Sequence, residues 1–436
     1  MMIDLAKAKA LDIEDSLGQF RDRFVNDSME IYMDGNSLGK LPKKTKKCLN
    51  EAIENQWGKR LIRSWNEVWL DLPLRLAEKF GKLLNVSKEE IIIGESTSVR
   101  LYQITHALLS SSLYNKQLIS DNLNFPTDLY ILDGLTKSFS LEKIKIINYN
   151  QEITADLELL KNEIKATPGI YCLSLVTYKS AFLYPMKELN LWAKKYKSII
   201  VWDISHAVGA IEINLKETDS KIAIGCSYKY MNGGPGAPAF LFIEKKLQEN
   251  LSNPIQGWFG HQNPFLFERH YIPKDEINRF ASGTPPILSL QAMEIGIDIT
   301  LEANIRKIYK KSVAQSEFFI DGVKEKLIPL GFKLESPEQS TNRGSHITLS
   351  HSASWQICQA LIKVSSKSLK VIPDFRPPNF LRFGIAPLYT NNTDPKYNIV
   401  DPATILNTDL CIGQIFSFLS SPLHDVILGL KKLAII

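Results

Sequence analysis

The chain is poor in cysteine, with only Cys48, Cys172, Cys226, Cys358 and Cys411, widely spaced and without a C-x-x-C pair. That argues against both a disulfide framework and a zinc site, and leaves the thiols as buried apolar groups. No uncharged apolar run reaches membrane-spanning length, so no membrane partner is expected. The segment Met1 to Lys7 lacks a basic region followed by a long apolar stretch, and a cytoplasmic location is expected. Charge of one sign is missing too: 52 Lys+Arg stand against 47 Asp+Glu, net +5, with the basic residues scattered. No nucleic-acid partner is expected; small molecules and other protein chains are. The chain also has no G-x-x-x-x-G-K-[ST], H-E-x-x-H or G-x-S-x-G, and no G-x-G-x-x-G between strand and helix, so nucleotide and zinc-protease readings lose their support.

What is present is the balance of a globular protein: 436 residues, 44% hydrophobic and 23% charged, enough for roughly two or three domains. Strand-like runs at 90–93, 144–147, 170–176, 198–202 and 239–243 alternate with helical stretches at 43–58, 73–84, 99–109, 154–165 and 186–196. This alternation predicts an α/β fold whose strands are covered on both faces. A long helix is predicted after Pro285-Pro286, through Leu301 and on toward Leu327 with a break. Beyond it a smaller α+β domain is expected, ending in a strand at 380–385.

The chemistry concentrates between Ile199 and Ile243. An apolar strand ends in Asp203, with His206 three residues on, and strand ends of an open α/β sheet are where ligands bind. Some two dozen residues later Ser227-Tyr228-Lys229-Tyr230-Met231-Asn232 precedes a Gly- and Pro-rich turn. A pyridoxal phosphate site needs such a pair, a carboxylate to keep the pyridine nitrogen protonated and an amine to form a Schiff base. Spacing alone leaves a surface lysine and a satisfied core histidine equally open. Gly94-Glu95-Ser96-Thr97-Ser98, between a strand and a helix, has the form of an anion cradle, and ordinary helix N-capping explains it as well.

Taken together, a series of motifs resembles the kynureninase family, pyridoxal-phosphate enzymes of the aminotransferase-like fold type I, in its bacterial form. It comprises Asp34-Gly35-Asn36-Ser37-Leu38-Gly39, Leu61 to Asn66, Asn124-Phe125-Pro126-Thr127-Asp128, Asp203 to Gly209, Cys226 to Phe240, Gly257-Trp258-Phe259-Gly260-His261, Gly283 to Leu288, and Phe380-Leu381-Arg382-Phe383-Gly384. The resemblance implies a large cofactor-binding domain at 41–295 with a mixed, mostly parallel sheet flanked by helices. It also implies a smaller C-terminal α+β domain at 296–436 and an N-terminal segment, 1–40, packed with it.

Carried over residue by residue, the resemblance implies that Lys229 holds the cofactor and shuttles protons, and that Asp203 pairs with the pyridine nitrogen. Phe125 stacks on the ring, and Asp128, Ser174 and His206 support its polar edge. Thr97, Ser98 and Tyr228 hold the phosphate, joined by Trp258 and Thr284 from the second subunit of a homodimer whose active site lies at the interface. Arg382 binds the substrate carboxylate, Tyr228 is a candidate proton donor, and Trp65, Trp258, Phe259 and His261 flank the aryl ring.

The implied reaction is hydrolysis of L-kynurenine, or its 3-hydroxy form, to an anthranilate and L-alanine in tryptophan catabolism. The alternatives are another fold type I activity, such as transamination or desulfuration, and a cofactor-binding homologue without catalysis. A desulfurase needs a mobile loop cysteine, and 336–344 has none. Three departures from the family pattern stand out: Arg100 where asparagine is common, Lys179 to Phe182 with Ala181 in place of a glycine, and the tail after Tyr389.

Overall fold

The computed structural model describes residues 5–363, 370–391, 393–394 and 399–400. Of the tail singled out above, Pro395, Asn398, Pro402, Ile435 and Ile436 lie outside the described residues, as does Cys411. Short apolar runs form the central sheet: β1 (Ile91–Ile93), β2 (Leu118–Asp121), β3 (Lys145–Ile147), β4 (Ile170–Ser174), β5 (Ile199–Asp203), β6 (Ile222–Gly225) and β7 (Phe240–Ile243). Their order is β1-β7-β6-β5-β4-β2-β3. β7 runs antiparallel to both neighbours, and the other pairings are parallel.

Successive side chains of a strand point to opposite faces, and here that pleat feeds two cores. Ile91, Ile93, Ile119, Tyr171, Leu173, Ile200, Trp202, Phe240 and Phe242 enter one. Ile92, Leu118, Ile170, Cys172, Ile199, Val201, Leu241 and Ile243 enter the other. Each fully buried large apolar side chain contributes about 1.5–3 kcal/mol, so a sheet covered on both faces is a rigid platform.

Helices α1 (Leu72–Leu84), α4 (Leu157–Ala166), α5 (Met186–Lys195) and α6 (Ile287–Ala303) cover the first face, while α2 (Thr97–Ser110) and α3 (Pro126–Ser138) cover the second. Their ends follow local chemistry. The Ser96 hydroxyl accepts from the Val99 N–H at the start of α2, Pro126 fixes φ at the first turn of α3, and left-handed Asn85 ends α1. The expected break in the long helix falls at Asn304, φ +70°, whose side chain caps α7 (Ile305–Gly322).

Phe319 and Ile320 of α7 enter a third core with Ile31, Met33, Leu349 and Phe383. It backs a four-stranded antiparallel sheet, ordered β10-β11-β9-β8, of β8 (Lys333–Leu334), β9 (His346–Ser350), β10 (Asp374–Arg376) and β11 (Phe380–Gly384). The segment Glu30–Tyr32 pairs in parallel with Lys370–Ile372. Among the described residues no helix is long and apolar enough to cross a membrane.

Several elements depart from the sequence reading. The helix expected to run to Gly58 is α-helical only over Lys43–Glu51 and widens into a π-helix over Ala52–Arg60. Strand β6 has no counterpart among the predicted strands of the large sheet, and neither has β2. Ser120 and Asp121 interrupt its apolar run, yet both are buried: the Ser120 hydroxyl donates to the Cys172 carbonyl at 2.7 Å, and Asp121 accepts from the Tyr184 hydroxyl at 2.7 Å.

Candidate active site

The loops leaving the C-terminal ends of the parallel strands meet the small sheet around a cavity of about 280 Å³. Thr97, Ser98, Phe125, Asp128, Asp203, His206, Tyr228, Lys229 and Arg382 all line it, together with Asn36, Ser37 and Arg376. Three larger clefts, of about 350, 550 and 570 Å³, gather surface polar residues around Asn85 and Asn214, surface Lys and Glu residues, or an apolar groove around Leu183 and Met186; none joins an amine to acids and an anion cradle.

The cradle follows β1. Gly94 (φ +145°) and left-handed Glu95 (φ +58°) turn the chain into α2, and paired backbone bonds of 2.9 Å tie the loop to Ala239. Thr97 and Ser98 thus sit in the first helical turn, where free N–H groups and the helix dipole favour an anion. Arg100 points away from the cavity. Its fully buried guanidinium donates to the Gly94 carbonyl (3.0 Å), Gln103 Oε1 (2.9 Å) and the Phe280 carbonyl (2.9 Å), all neutral acceptors, and burial lowers its pKa to about 10. Gln103 continues the bracing to the Ser282 hydroxyl at 3.0 Å.

The β2 and β4 ends are joined by Asn124, a buried residue whose role the sequence did not reveal. Its amide donates to the Ser120 hydroxyl and the Cys172 carbonyl, and its Oδ1 accepts from the Ser174 hydroxyl (2.6 Å) and the Phe125 N–H (2.8 Å). Ser174 acts here as a support for Asn124. Phe125, fixed in this way, keeps 38% of its surface exposed and meets Tyr178 edge-on at 5.3 Å.

Asp203 ends β5 in register with Ser174 and accepts from the Ser205 N–H at 2.8 Å. Burial holds its carboxyl above the ordinary range against the pull of Lys229, and burial plus the Asp203 charge push Asp128 well above it. Lys229 Nζ lies 3.2 and 3.4 Å from the two ring nitrogens of His206, whose pKa falls well below normal through burial and then the Lys229 charge. His206 is therefore a neutral imidazole. The neighbouring Cys226 and then burial push the Tyr228 phenol up, leaving it a protonated donor. Gly39 lets the 34–39 segment press onto this strand end: a Cβ there would stand 2.3 Å from the Lys229 carbonyl, and its N–H donates to the Tyr228 carbonyl at 2.8 Å.

On the opposite wall Arg382 is 1% exposed and faces Asp374 across β10 and β11. Its Nε donates to Asp374 Oδ2 at 2.7 Å, Nη1 to the Tyr178 carbonyl at 2.5 Å, and Nη2 to the Ser37 hydroxyl at 3.2 Å as well as to Asp374. Asp374 also pairs with Arg376 at 3.0 Å.

Six expected residues do not line this cavity within one chain: Ser174 stands behind it on Asn124, and Trp65, Trp258, Phe259, His261 and Thr284 lie elsewhere. Trp65 and Trp258 pack on Phe259, at 5.8 and 4.5 Å, and Thr284 is exposed. Both His261 nitrogens are engaged, by the Asn263 N–H and the His270 carbonyl.

The donor set fits pyridoxal phosphate. Two buried carboxylates held above their normal range lack the positive charge that a protonated pyridine nitrogen brings, an aromatic face stands open, a helix N-terminus offers anion contacts, and an amine faces them. Solved structures share the architecture: a cysteine desulfurase of Thermococcus onnurineus NA1 superposes with a TM-score of 0.73 at 16% identity, covering 86% of this chain and 94% of that one. A C-DES variant with glycine covalently linked to its pyridoxal phosphate cofactor gives 0.74 at 13% identity, covering 85% and 96%. Fold and site together define a fold type I pyridoxal-phosphate enzyme.

Residues 308–400 match the family model described as the kynureninase C-terminal domain. The chain is 34% identical to the kynureninase of Pseudomonas fluorescens, over 88% of this chain and 91% of that protein. It is 32% identical to that of Burkholderia pseudomallei strain K96243, over 92% and 95%. The chain belongs to the kynureninase family.

Proposed function

We propose that the protein hydrolyses L-kynurenine, or its 3-hydroxy form, to an anthranilate and L-alanine, with pyridoxal phosphate held at the cavity above. The observation that carries this reading is the meeting of Lys229, Asp203, His206, Tyr228 and Arg382 at one cavity in a chain of this family. Lys229 would hold the cofactor through Nζ, Asp203 would face its ring nitrogen, Phe125 would cover its ring, and Thr97 and Ser98 would take its phosphate. When bound, the cofactor supplies an electron sink for charge developing on the substrate carbons.

The chain's own residues then supply orientation and protons. Arg382, fixed by Asp374 and the Tyr178 carbonyl, presents its remaining Nη1–H to the substrate carboxylate. Lys229 Nζ, once free, carries protons, and the neutral His206 beside it accepts a hydrogen bond without competing for charge. Tyr228, held protonated, is the donor to the three-carbon product. Desulfuration is disfavoured among the described residues: Cys172, Cys226 and Cys358 are buried with thiol pKa values pushed up, and half-buried Cys48 is pushed up too, so no thiolate nucleophile is at hand.

A homodimer with a shared active site belongs to this reading. Trp258 (39% exposed), Phe265 (53%), Leu266 (65%) and Phe267 (77%) crowd one surface, with Trp258 against Phe265 and Phe267. A patch of this kind calls for cover, and a second copy would bring Trp258 and Thr284 to its neighbour's phosphate and Trp65 and His261 to the aryl ring. We retain the division into 1–40, 41–295 and 296–436, and a cytoplasmic site of action, as parts of the same proposal. Purified protein given pyridoxal phosphate and L-kynurenine should release fluorescent anthranilate and an equal amount of L-alanine. Cofactor binding without either product would refute the assignment.

A further inference from the structure

The substrate wall contains polar atoms that the protein leaves unpaired. Asn36 is fully buried and lines the cavity, and neither its Oδ1 nor its Nδ2 makes a hydrogen bond. Leaving a buried polar atom unsatisfied costs about 1–3 kcal/mol, so two on one side chain call for a partner.

The fold makes room for this amide deliberately. A Cβ on Gly384 would stand 2.0 Å from Asn36 Oδ1, so only glycine leaves the notch in β11 that the amide fills. His346 lies directly opposite Gly384, and paired residues of antiparallel strands share a face. Arg382, two residues before Gly384, projects on that face as well. His346 is fully buried, and neither of its ring nitrogens makes a hydrogen bond of normal geometry. The nearby Tyr178 and Lys179 carbonyls already accept from Arg382 and from the Thr348 hydroxyl. Asn36 is thus an unpaired donor and acceptor at the same cavity as the Lys229 amine and Arg382, the proposed carboxylate ligand.

We infer that Asn36 is a substrate-binding residue for the amino-acid head group, its Nδ2 donating to the α-carboxylate alongside Arg382 and its Oδ1 accepting from the α-nitrogen. An amino-acid head carries one acceptor and one donor on a single carbon, which a lone carboxylate or amine does not. The inference rests on the proposed amino-acid substrate and does not depend on its aryl group.

The test uses the cofactor-loaded full chain with two probes: L-alanine, which is only a head group, and 2-aminoacetophenone, which carries the aryl ketone and no head group. In Asn36→Ala the dissociation constant of L-alanine and the KM of L-kynurenine should each rise about tenfold. Affinity for 2-aminoacetophenone and for pyridoxal phosphate should stay within about twofold. Asn36→Asp, nearly isosteric, should weaken L-alanine by about a hundredfold because it sets a carboxylate against a carboxylate. If the alanine variant fails to fold, Asn36→Ser and Asn36→Asp carry the same comparison. Unchanged L-alanine binding, or parallel weakening of both probes and the cofactor, would overturn the inference. A wild-type protein that binds L-alanine but leaves L-kynurenine intact would instead count against the proposed reaction.

Discussion

The two walls of the cavity are built differently. On the wall formed by the large sheet, Asn124, Ser174, Ser205 and Arg100 bind one another's strands and loops, and the side chains that face the cavity are held from behind. On the wall formed by the small sheet, Arg382 is anchored by Asp374, but Asn36 and His346 keep unpaired polar atoms. The contrast teaches which half is finished without a ligand. A cofactor that stays bound meets a preformed frame, whereas a substrate that comes and goes completes the hydrogen bonding of its wall.

Substitutions on each wall can break or sharpen that contrast. The largest stability effect should come from Asp374→Asn, which leaves the buried Arg382 guanidinium without its counter-ion. We expect a loss of about 4 kcal/mol in urea unfolding together with a raised KM, and unaltered cofactor affinity. Next is Asp121, behind the large-sheet wall, whose pKa burial raises from the ordinary 3.8 to about 6. The folded protein binds this proton more tightly than the unfolded chain, so the group disfavours folding as pH rises. Stability should fall by up to about 3 kcal/mol from pH 4 to pH 7, and Asp121→Asn should flatten that slope.

A smaller change is expected for Arg100→Met, which orphans three neutral acceptors and frees the 280–282 segment. Unfolding should show a loss of about 2 kcal/mol, and equilibrium titration should show weaker pyridoxal phosphate binding, with little change in KM. The smallest concerns Ala181, which adopts φ +65° and is fully buried. Ala181→Gly relieves left-handed strain but removes a packed methyl, so its melting curve should lie within about 1 kcal/mol of wild type.

Ala181 also shows what a sequence can and cannot convey. A glycine of the family pattern is replaced there, yet Ala181 adopts a left-handed φ that favours glycine, in the turn whose Tyr178 carbonyl accepts from Arg382. Most of the large sheet was legible because strands covered on both faces are written as apolar runs. β2 and β6 were not; in β2 the buried Ser120 and Asp121 are satisfied by partners distant in the chain. The candidate cofactor residues were legible through the family motifs, since the spacing of Asp203 and Lys229 by itself left a surface lysine equally open. Asn36, Asn124, His346, Asp374 and Arg376 carry no such spacing. Asn36 lay inside a quoted motif, yet its significance appears only where Gly384 opens a notch beside it. Arg100, noted beside the cradle, proves to turn inward and brace it.

The most direct test of the account is to reduce the cofactor-loaded protein with borohydride, digest it, and map the modified lysine by mass spectrometry. A phosphopyridoxyl group on Lys229, absent from the Lys229→Ala protein, is the predicted result; the same group on a different lysine, or on none, would contradict it.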